Sequence, residues 1–185
     1  MYKLCKTEQS SQRQRQLEQG LLQLMLAKRY EEISISDLCE RMDIPRKSFY
    51  RYFSSKDGAL FALLDHTMLD FYEGGFRTPD AGTALGDLEL FFMFWYEKRD
   101  LLDALQRSGL SGILVERATE LAARERLMPD RIKSWSADRQ DLALSFALCG
   151  LMSMILHWHH QGYPISPGEM TRIAAAMLTR PLIEL

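Results

Sequence analysis

The segment that most constrains this chain is Ser34 to Lys56, SISDLCERMDIPRKSFYRYFSSK. Ser34 is placed to cap a short helix, with Asp37 three residues on as its capping-box partner. Leu38 and Met42 lie four residues apart and give that helix one apolar side. Met42-Asp43-Ile44-Pro45 then breaks it, because Asp tolerates a left-handed backbone and Pro cannot continue a helix but fits a new first turn. A second helix follows, carrying Arg46, Lys47, Ser48, Phe49, Tyr50 and Arg51. Between residues 45 and 56 stand Arg46, Lys47, Arg51 and Lys56 with no Asp or Glu among them. Two short helices, a tight turn and a cationic second helix form the layout of a helix-turn-helix whose second helix enters the DNA major groove.

At these residues the chain resembles the tetracycline-repressor-like (TetR) family of bacterial transcription regulators. Ser34, Ile35, Leu38, Ile44, Ser48, Phe49, Tyr50, Tyr52, Phe53, Ser55, Lys56 and Leu60 fall on positions of the family pattern, and F-Y-x-Y-F-x-x-K over residues 49–56 is its specific core. Three departures stand out: Cys39 for a small Ala, Asp43 for the turn Gly, and Pro45 with Lys47 for the Ser and Gly that begin the recognition helix. The resemblance implies an all-α fold of about nine helices. An N-terminal three-helix helix-turn-helix DNA-binding domain, residues 1–66, would precede an effector-binding and dimerisation domain, residues 67–185.

Composition agrees with a split of labour. The chain has 185 residues and a net charge of −2, but residues 1–56 hold 11 Lys/Arg against 7 Asp/Glu while residues 57–185 hold 12 against 18. A basic end and an acidic body suit a protein that meets DNA at one end only. Cys5, Cys39 and Cys149 are odd in number and widely spaced, which points to free thiols in a reducing compartment. The first residues lack the apolar stretch of a signal peptide, and no unbroken run of 18 apolar residues occurs. The expectation is a cytoplasmic protein with no membrane span.

Periodicity beyond residue 10 reads as helix almost throughout. The first helix is expected from about Ser10 to Lys28, and a fourth is capped by Ser54 or Ser55. Residues 74–82, rich in Gly and Pro, read as a break before a helix from Leu85 to Arg99 that is crowded with aromatics. A short helix from Leu101 to Gln106 and another from Ser111 to Leu127 follow. Ala137 to His160 forms a long helix stopped by Gly162, and Ser166-Pro167-Gly168-Glu169 opens the last, which runs to about Thr179.

Arg46, Lys47 and Ser48 open the recognition helix, where Arg can grip guanine with two bonds and a hydroxyl can serve several bases. By the resemblance, Tyr50, Tyr52 and Lys56 hold phosphate backbone, and the capped helix start at Ser34 offers an anion site. Phe92, Trp95 and Tyr96 are candidates to line a cavity for an apolar or aromatic small-molecule effector, although packed core explains any one of them. Ala143, Ala147, Gly150 and Leu151 lie along one side of the long helix, where small residues let a partner helix approach; the family builds its dimer from its last two helices. His157 and His160 share a helix face but have no carboxylate or thiol at a matching step, so no metal and no cofactor is expected.

The function expected is a ligand-responsive homodimeric regulator, a repressor of a near-palindromic double-stranded DNA operator. The competing expectation is a helical regulatory protein that has lost specific DNA binding and acts through a protein partner; Pro45 and Lys47 motivate it. No nucleophile elbow, phosphate loop or metalloprotease motif supports an enzyme.

Overall fold

A computed structural model describes residues 2–3, 5, 7–74, 83–124 and 134–179. Among these residues there are nine α-helices and no strand. They are α1 (Glu8–Ala27), α2 (Ile35–Arg41), α3 (Arg46–Tyr52), α4 (Lys56–Gly74), α5 (Ala84–Glu97), α6 (Arg99–Arg107), α7 (Ser111–Arg124), α8 (Ala137–His160) and α9 (Pro167–Thr179), with a 3-10 turn at Tyr30–Glu32. The chain is all-α, as its periodicity predicts. Residues 75–82 and 125–133, on which the predicted Gly-Pro break and the end of the Ser111 helix fall, lie outside the described residues.

Side-chain caps set most helix starts. Thr7 caps α1: its hydroxyl accepts from the Ser10 amide at 3.3 Å, and the helix begins at Glu8, two residues before the expected start at Ser10. Of the two candidates for α4, Ser55 accepts the Gly58 amide at 3.0 Å. Thr83 caps α5 and Ser166 caps α9 in the same manner. After α8 the chain reverses through Gly162 and Tyr163, both with positive φ, and the Trp158 indole N–H donates to the Ile165 carbonyl to fix the return.

The core is continuous from end to end. Leu17, Leu21 and Met25 of α1 are wholly buried against α4 and α6, and Phe92, Trp95, Ile155 and Trp158 are buried farther along. Gly20 lets α2 sit close, since a Cβ there would lie 2.4 Å from the Met42 sulfur. α5 packs on α9, and α7 on α8.

α4 runs unbroken across the expected domain boundary at residue 66 and carries the polar ties between the two ends. Asp65, fully buried, accepts from Arg117 of α7 through Nε at 3.0 Å and Nη2 at 2.6 Å, and from the Tyr2 hydroxyl at 2.7 Å. On the side of α4 facing α1, His66 Nδ1 lies 2.9 Å from the buried Glu18, and Arg15 forms a two-pronged pair with Asp70 at 2.6 and 3.0 Å. Burial pushes the Glu18 carboxyl above its ordinary range despite His66 beside it.

By length and composition α8 is long and apolar enough to cross a membrane. The sequence scan missed this because Ser145, Gly150 and Ser153 interrupt the apolar run. One such helix is weak evidence for a membrane, since helices packed in ordinary bundles pass the same test; here Leu144, Met152, Ile155 and Trp158 are buried in the fold.

Candidate nucleic-acid interface

The turn between α2 and α3 is built by its local sequence. Ser34 and Asp37 form a full capping box: the Asp37 amide donates to the Ser34 hydroxyl at 3.1 Å, and the Ser34 amide to the Asp37 carboxylate at 2.9 Å. Lys28 adds an ion pair to Asp37 at 2.5 Å. These contacts, Lys28 foremost, draw the Asp37 carboxyl down to about 2. Asp43 takes the left-handed conformation, φ 48°, and the Ile44 amide then reaches back to the Cys39 carbonyl at 3.0 Å. Pro45 occupies the N-cap of α3 in an extended conformation, one place earlier than the first-turn position expected of it.

Phe49 and Phe53 fix how α3 lies. Both are wholly buried, with ring centroids 5.2 Å apart. Burying that side leaves Arg46, Lys47, Tyr50 and Arg51 exposed on the other. Arg46 reaches toward the Tyr50 hydroxyl at 3.5 Å, one helical turn on, and Ser48 is half-buried between the two faces.

The cations of the amino-terminal part divide into two groups. Arg15 is paired with Asp70, Lys28 with Asp37, and Arg29 with Glu31. Among the described residues no carboxylate pairs with Arg46, Lys47 or Arg51, nor with Arg13 of α1, whose guanidinium donates only to the Gln16 amide oxygen at 2.9 Å. A face on which positive charge is left uncompensated is built to meet an external polyanion.

Three predicted contacts are placed differently from the expectation. Lys56 donates to the carbonyls of Tyr30 and Ile33, each at 2.7 Å, and its ammonium stands 4.1 Å from the Tyr30 ring centroid; it braces the connection between α1 and α2 from inside. Tyr52 is buried, with only 9% of its surface exposed. Ser34 is exposed, but the helix start it caps already holds the Asp37 carboxylate. Arg46, Lys47, Ser48 and Tyr50 do come together on the outer side of α3.

Beside them runs a groove that the sequence argument did not assemble. Gln9, Gln12 and Arg13 from the start of α1 face Ser48, Arg51 and Tyr52 of α3 across it. Its polar signal was present in the sequence as the Gln- and Arg-rich start of α1, but the apposition of α1 with α3 is a tertiary fact.

Of the expected effector-lining residues, Phe92 and Trp95 are almost wholly buried and Tyr96 partly so. Phe92 stands edge-on to Trp158 at 6.2 Å, and Tyr96 contacts both Trp158 at 5.7 Å and Tyr163 at 5.0 Å. Among the described residues, the buried Trp95 indole N–H and Tyr163 hydroxyl have no hydrogen-bond partner.

On α8, Ala143, Ala147 and Leu151 are half-buried and Gly150 is exposed, with nothing within 4 Å of an added Cβ. The larger side chains on the open side, Leu142 and Phe146, each 73% exposed, were not singled out beforehand. Ile173, Met177 and Leu178 of α9 are also exposed. His160 bonds to Gln106 at 2.8 Å, and His159 lies 2.9 Å from Asp103.

Residues 20–63 match the family described as bacterial regulatory proteins, tetR family. No curated protein matches the sequence. Among the solved structures that share the fold are the following three. A tetR-family transcriptional regulator from Streptomyces coelicolor is 25% identical, with TM-score 0.57, covering 87% of this chain and 78% of its own. The dihydroxyacetone kinase operon activator DhaS is 18% identical, with TM-score 0.58 and coverages of 89% and 93%. The TetR family repressor AlkX from Dietzia sp. strain DQ12-45-1b is 21% identical, with TM-score 0.55 and coverages of 88% and 93%. The last two bear on the fold alone.

Proposed function

We propose that the chain, whose residues 20–63 match the tetR family of bacterial regulatory proteins, is a member of that family of DNA-binding transcription regulators and acts as a cytoplasmic, ligand-responsive homodimeric repressor on a near-palindromic operator. The observation that carries this is the outer side of α3, where Arg46, Lys47 and Arg51 stand exposed with no carboxylate among the described residues to neutralise them. Arg46, Lys47 and Ser48, at the start of the helix, read base edges, and Tyr50 serves phosphate. Lys56 and Tyr52 act indirectly in this scheme, by holding α3 and the α1–α2 connection in place. Residues 1–66 form the DNA-binding part, and residues 67–185 the part that binds effector and partner.

Homodimerisation through α8 and α9 is supported by the exposed Leu142, Phe146, Ile173, Met177 and Leu178 around the small residues Ala143, Ala147 and Gly150. A side of a helix this apolar calls for cover, and a second copy supplies an identical side. Two copies related by a twofold axis would present two recognition helices one turn of DNA apart, roughly 34–36 Å, and hence a near-palindromic site. Repression needs only occupancy of that site and no further contact surface.

The effector reading rests on the aromatic cluster of α5 and α8. An apolar or aromatic molecule entering beside Phe92, Trp95 and Tyr96 would offer acceptors to the unsatisfied Trp95 N–H and Tyr163 hydroxyl. It would act by binding better to the state in which the two α3 helices no longer match adjacent major grooves.

The test is a mobility shift with the DNA flanking the protein's own gene. Arg46→Ala/Lys47→Ala should abolish the specific complex and leave the oligomeric state intact. Retained binding by that variant would exclude α3 as the reading helix.

A further inference from the structure

The stretch preceding α1 is tied down at two points. The Tyr2 hydroxyl donates to the buried Asp65 at 2.7 Å, and the Lys3 amide donates to the Tyr52 carbonyl at 3.0 Å, at the end of α3. Tyr2 also forms an antiparallel bridge with Phe53. In an extended chain successive side chains point to opposite sides. Tyr2 turns inward to α4, packing its ring edge-on to His66 at 5.5 Å, so Lys3 turns outward, and it is exposed. Lys3 has no carboxylate partner among the described residues. Its backbone partner, Tyr52, also lines the groove between α1 and α3 that carries Arg13 and Arg51. Among the described residues, no acidic side chain lines that groove.

We propose that Lys3, tied to the end of α3 through the Tyr52 carbonyl and to α4 through Tyr2 and Asp65, joins Arg13 and Arg51 in holding DNA phosphates along the α1–α3 groove, which makes Lys3 part of the DNA-facing surface. The inference rests on the DNA-binding function proposed above and extends it to residues outside the helix-turn-helix. Arg13 and Arg51 stand on opposite walls, and Lys3 is held beside them by its bond to Tyr52, which lines the same groove. The tether holds the ammonium in place before DNA arrives, so less freedom is lost on binding than a free segment would lose. Three cations over a groove with no acid serve phosphate in any sequence, and carry no base information.

The experiment is a salt titration of binding, by fluorescence anisotropy, on the duplex flanking the protein's own gene and on an unrelated duplex of equal length. Each phosphate contact contributes about 0.9 to the slope of log affinity against log salt. Lys3→Ala, Arg13→Ala and Arg51→Ala should each flatten the slope by about that much on both duplexes. Over a fourfold rise in salt, the wild type should then lose about 3.5-fold more affinity than any one of them. Tyr2→Phe keeps the Lys3 charge but removes one of its two ties, so it should flatten the slope by less than Lys3→Ala does, and adding Lys3→Ala to it should bring the slope only to that of Lys3→Ala. An unchanged slope in Lys3→Ala overturns the proposal, and that variant alters only an exposed side chain, so folding does not confuse it. If Lys3→Ala acts equally with and without Tyr2→Phe, the tether is overturned. If Arg46→Ala/Lys47→Ala is equally without effect, the DNA-binding function of α3 itself falls, and this inference with it.

Discussion

Arg117 of α7 grips the buried carboxylate of Asp65 with two nitrogens, Nε at 3.0 Å and Nη2 at 2.6 Å. The pair joins the helix that leaves the DNA-facing end to a helix that packs on α8. Arg124 also lies 3.5 Å from the Asp65 carboxylate but is half-exposed, so removing Arg117 leaves a buried charge poorly compensated, which costs up to about 3–5 kcal/mol. Arg117→Ala should therefore lower the unfolding free energy by about that amount, read from urea denaturation. A loss below about 1 kcal/mol, the scale of an exposed pair, would show that Asp65 is hydrated in solution. Replacing both residues together, as Asp65→Leu with Arg117→Met, should recover most of the loss, because no buried carboxylate is then left behind and the half-exposed Arg124 can turn to solvent.

Ser34 gives a sharper local prediction. Ser34→Ala deletes the acceptor for the Asp37 amide and should cost about 1 kcal/mol, whereas Ser34→Gly should cost only a few tenths. The Asp37 carboxyl, drawn to about 2 by Lys28 and by the Ser34 amide, adds a pH signature. A carboxyl whose folded value lies below its unfolded one supports the fold above the unfolded value and loses that support as pH falls. The acid limb of the stability profile should thus shrink in Asp37→Asn between about pH 4 and the folded value near 2. An acid limb unchanged in that variant would mean the capping contacts are absent in solution.

How far the sequence carried the fold follows from the range of each contact. The capping box, the left-handed Asp43 and the start of α9 at Pro167 lie within a few residues of their partners, and each was legible. Tyr2 and Asp65 are 63 positions apart, and Asp65 and Arg117 are 52. No local pattern signals such a pair, and an Asp in an amphipathic helix ordinarily reads as solvent-facing. Lys56 misled for a related reason. Its place in the family pattern implies phosphate, yet the carbonyls of Tyr30 and Ile33 come within 2.7 Å once α4 docks. For α8, the small residues drew attention while Leu142 and Phe146, the most exposed large side chains, were not singled out.

Tyr2 should betray its tether in alkali. Burial first, and then the bond to Asp65, raise its phenol to about 12. An acid whose folded value exceeds its unfolded one, about 10 for a phenol, favours the fold fully below that value. The benefit is lost as pH climbs from about 10 through 12. Tyr163, whose buried hydroxyl has no hydrogen-bond partner among the described residues, is also raised to about 12, by burial first. Ultraviolet titration of phenolate in the native protein should therefore show late-ionising tyrosines, one fewer in Tyr2→Phe. If Tyr2→Phe instead removes a phenol that titrates near 10, the hydroxyl is free in solution and the arm is not fastened.

Phe146 tests the assembly. It and Leu142 lie one turn apart on α8, each 73% exposed in the single chain, and Gly150 continues the same side one turn further with open space above it. Neither side chain supports the core of its own subunit, so a charge placed there should leave the subunit fold intact. In a twofold dimer each substitution acts twice, because both copies present the same surface. Burying an unpaired carboxylate costs several kcal/mol, and every 1.4 kcal/mol weakens association tenfold. Phe146→Glu should consequently shift the protein to monomer at micromolar concentration in sedimentation velocity, while its far-ultraviolet circular dichroism stays helical. Operator affinity should fall in parallel, since a monomer engages one half-site and forfeits the gain from linking two. A dimer of unchanged mass in Phe146→Glu would place the interface elsewhere and leave this apolar side of α8 to another occupant.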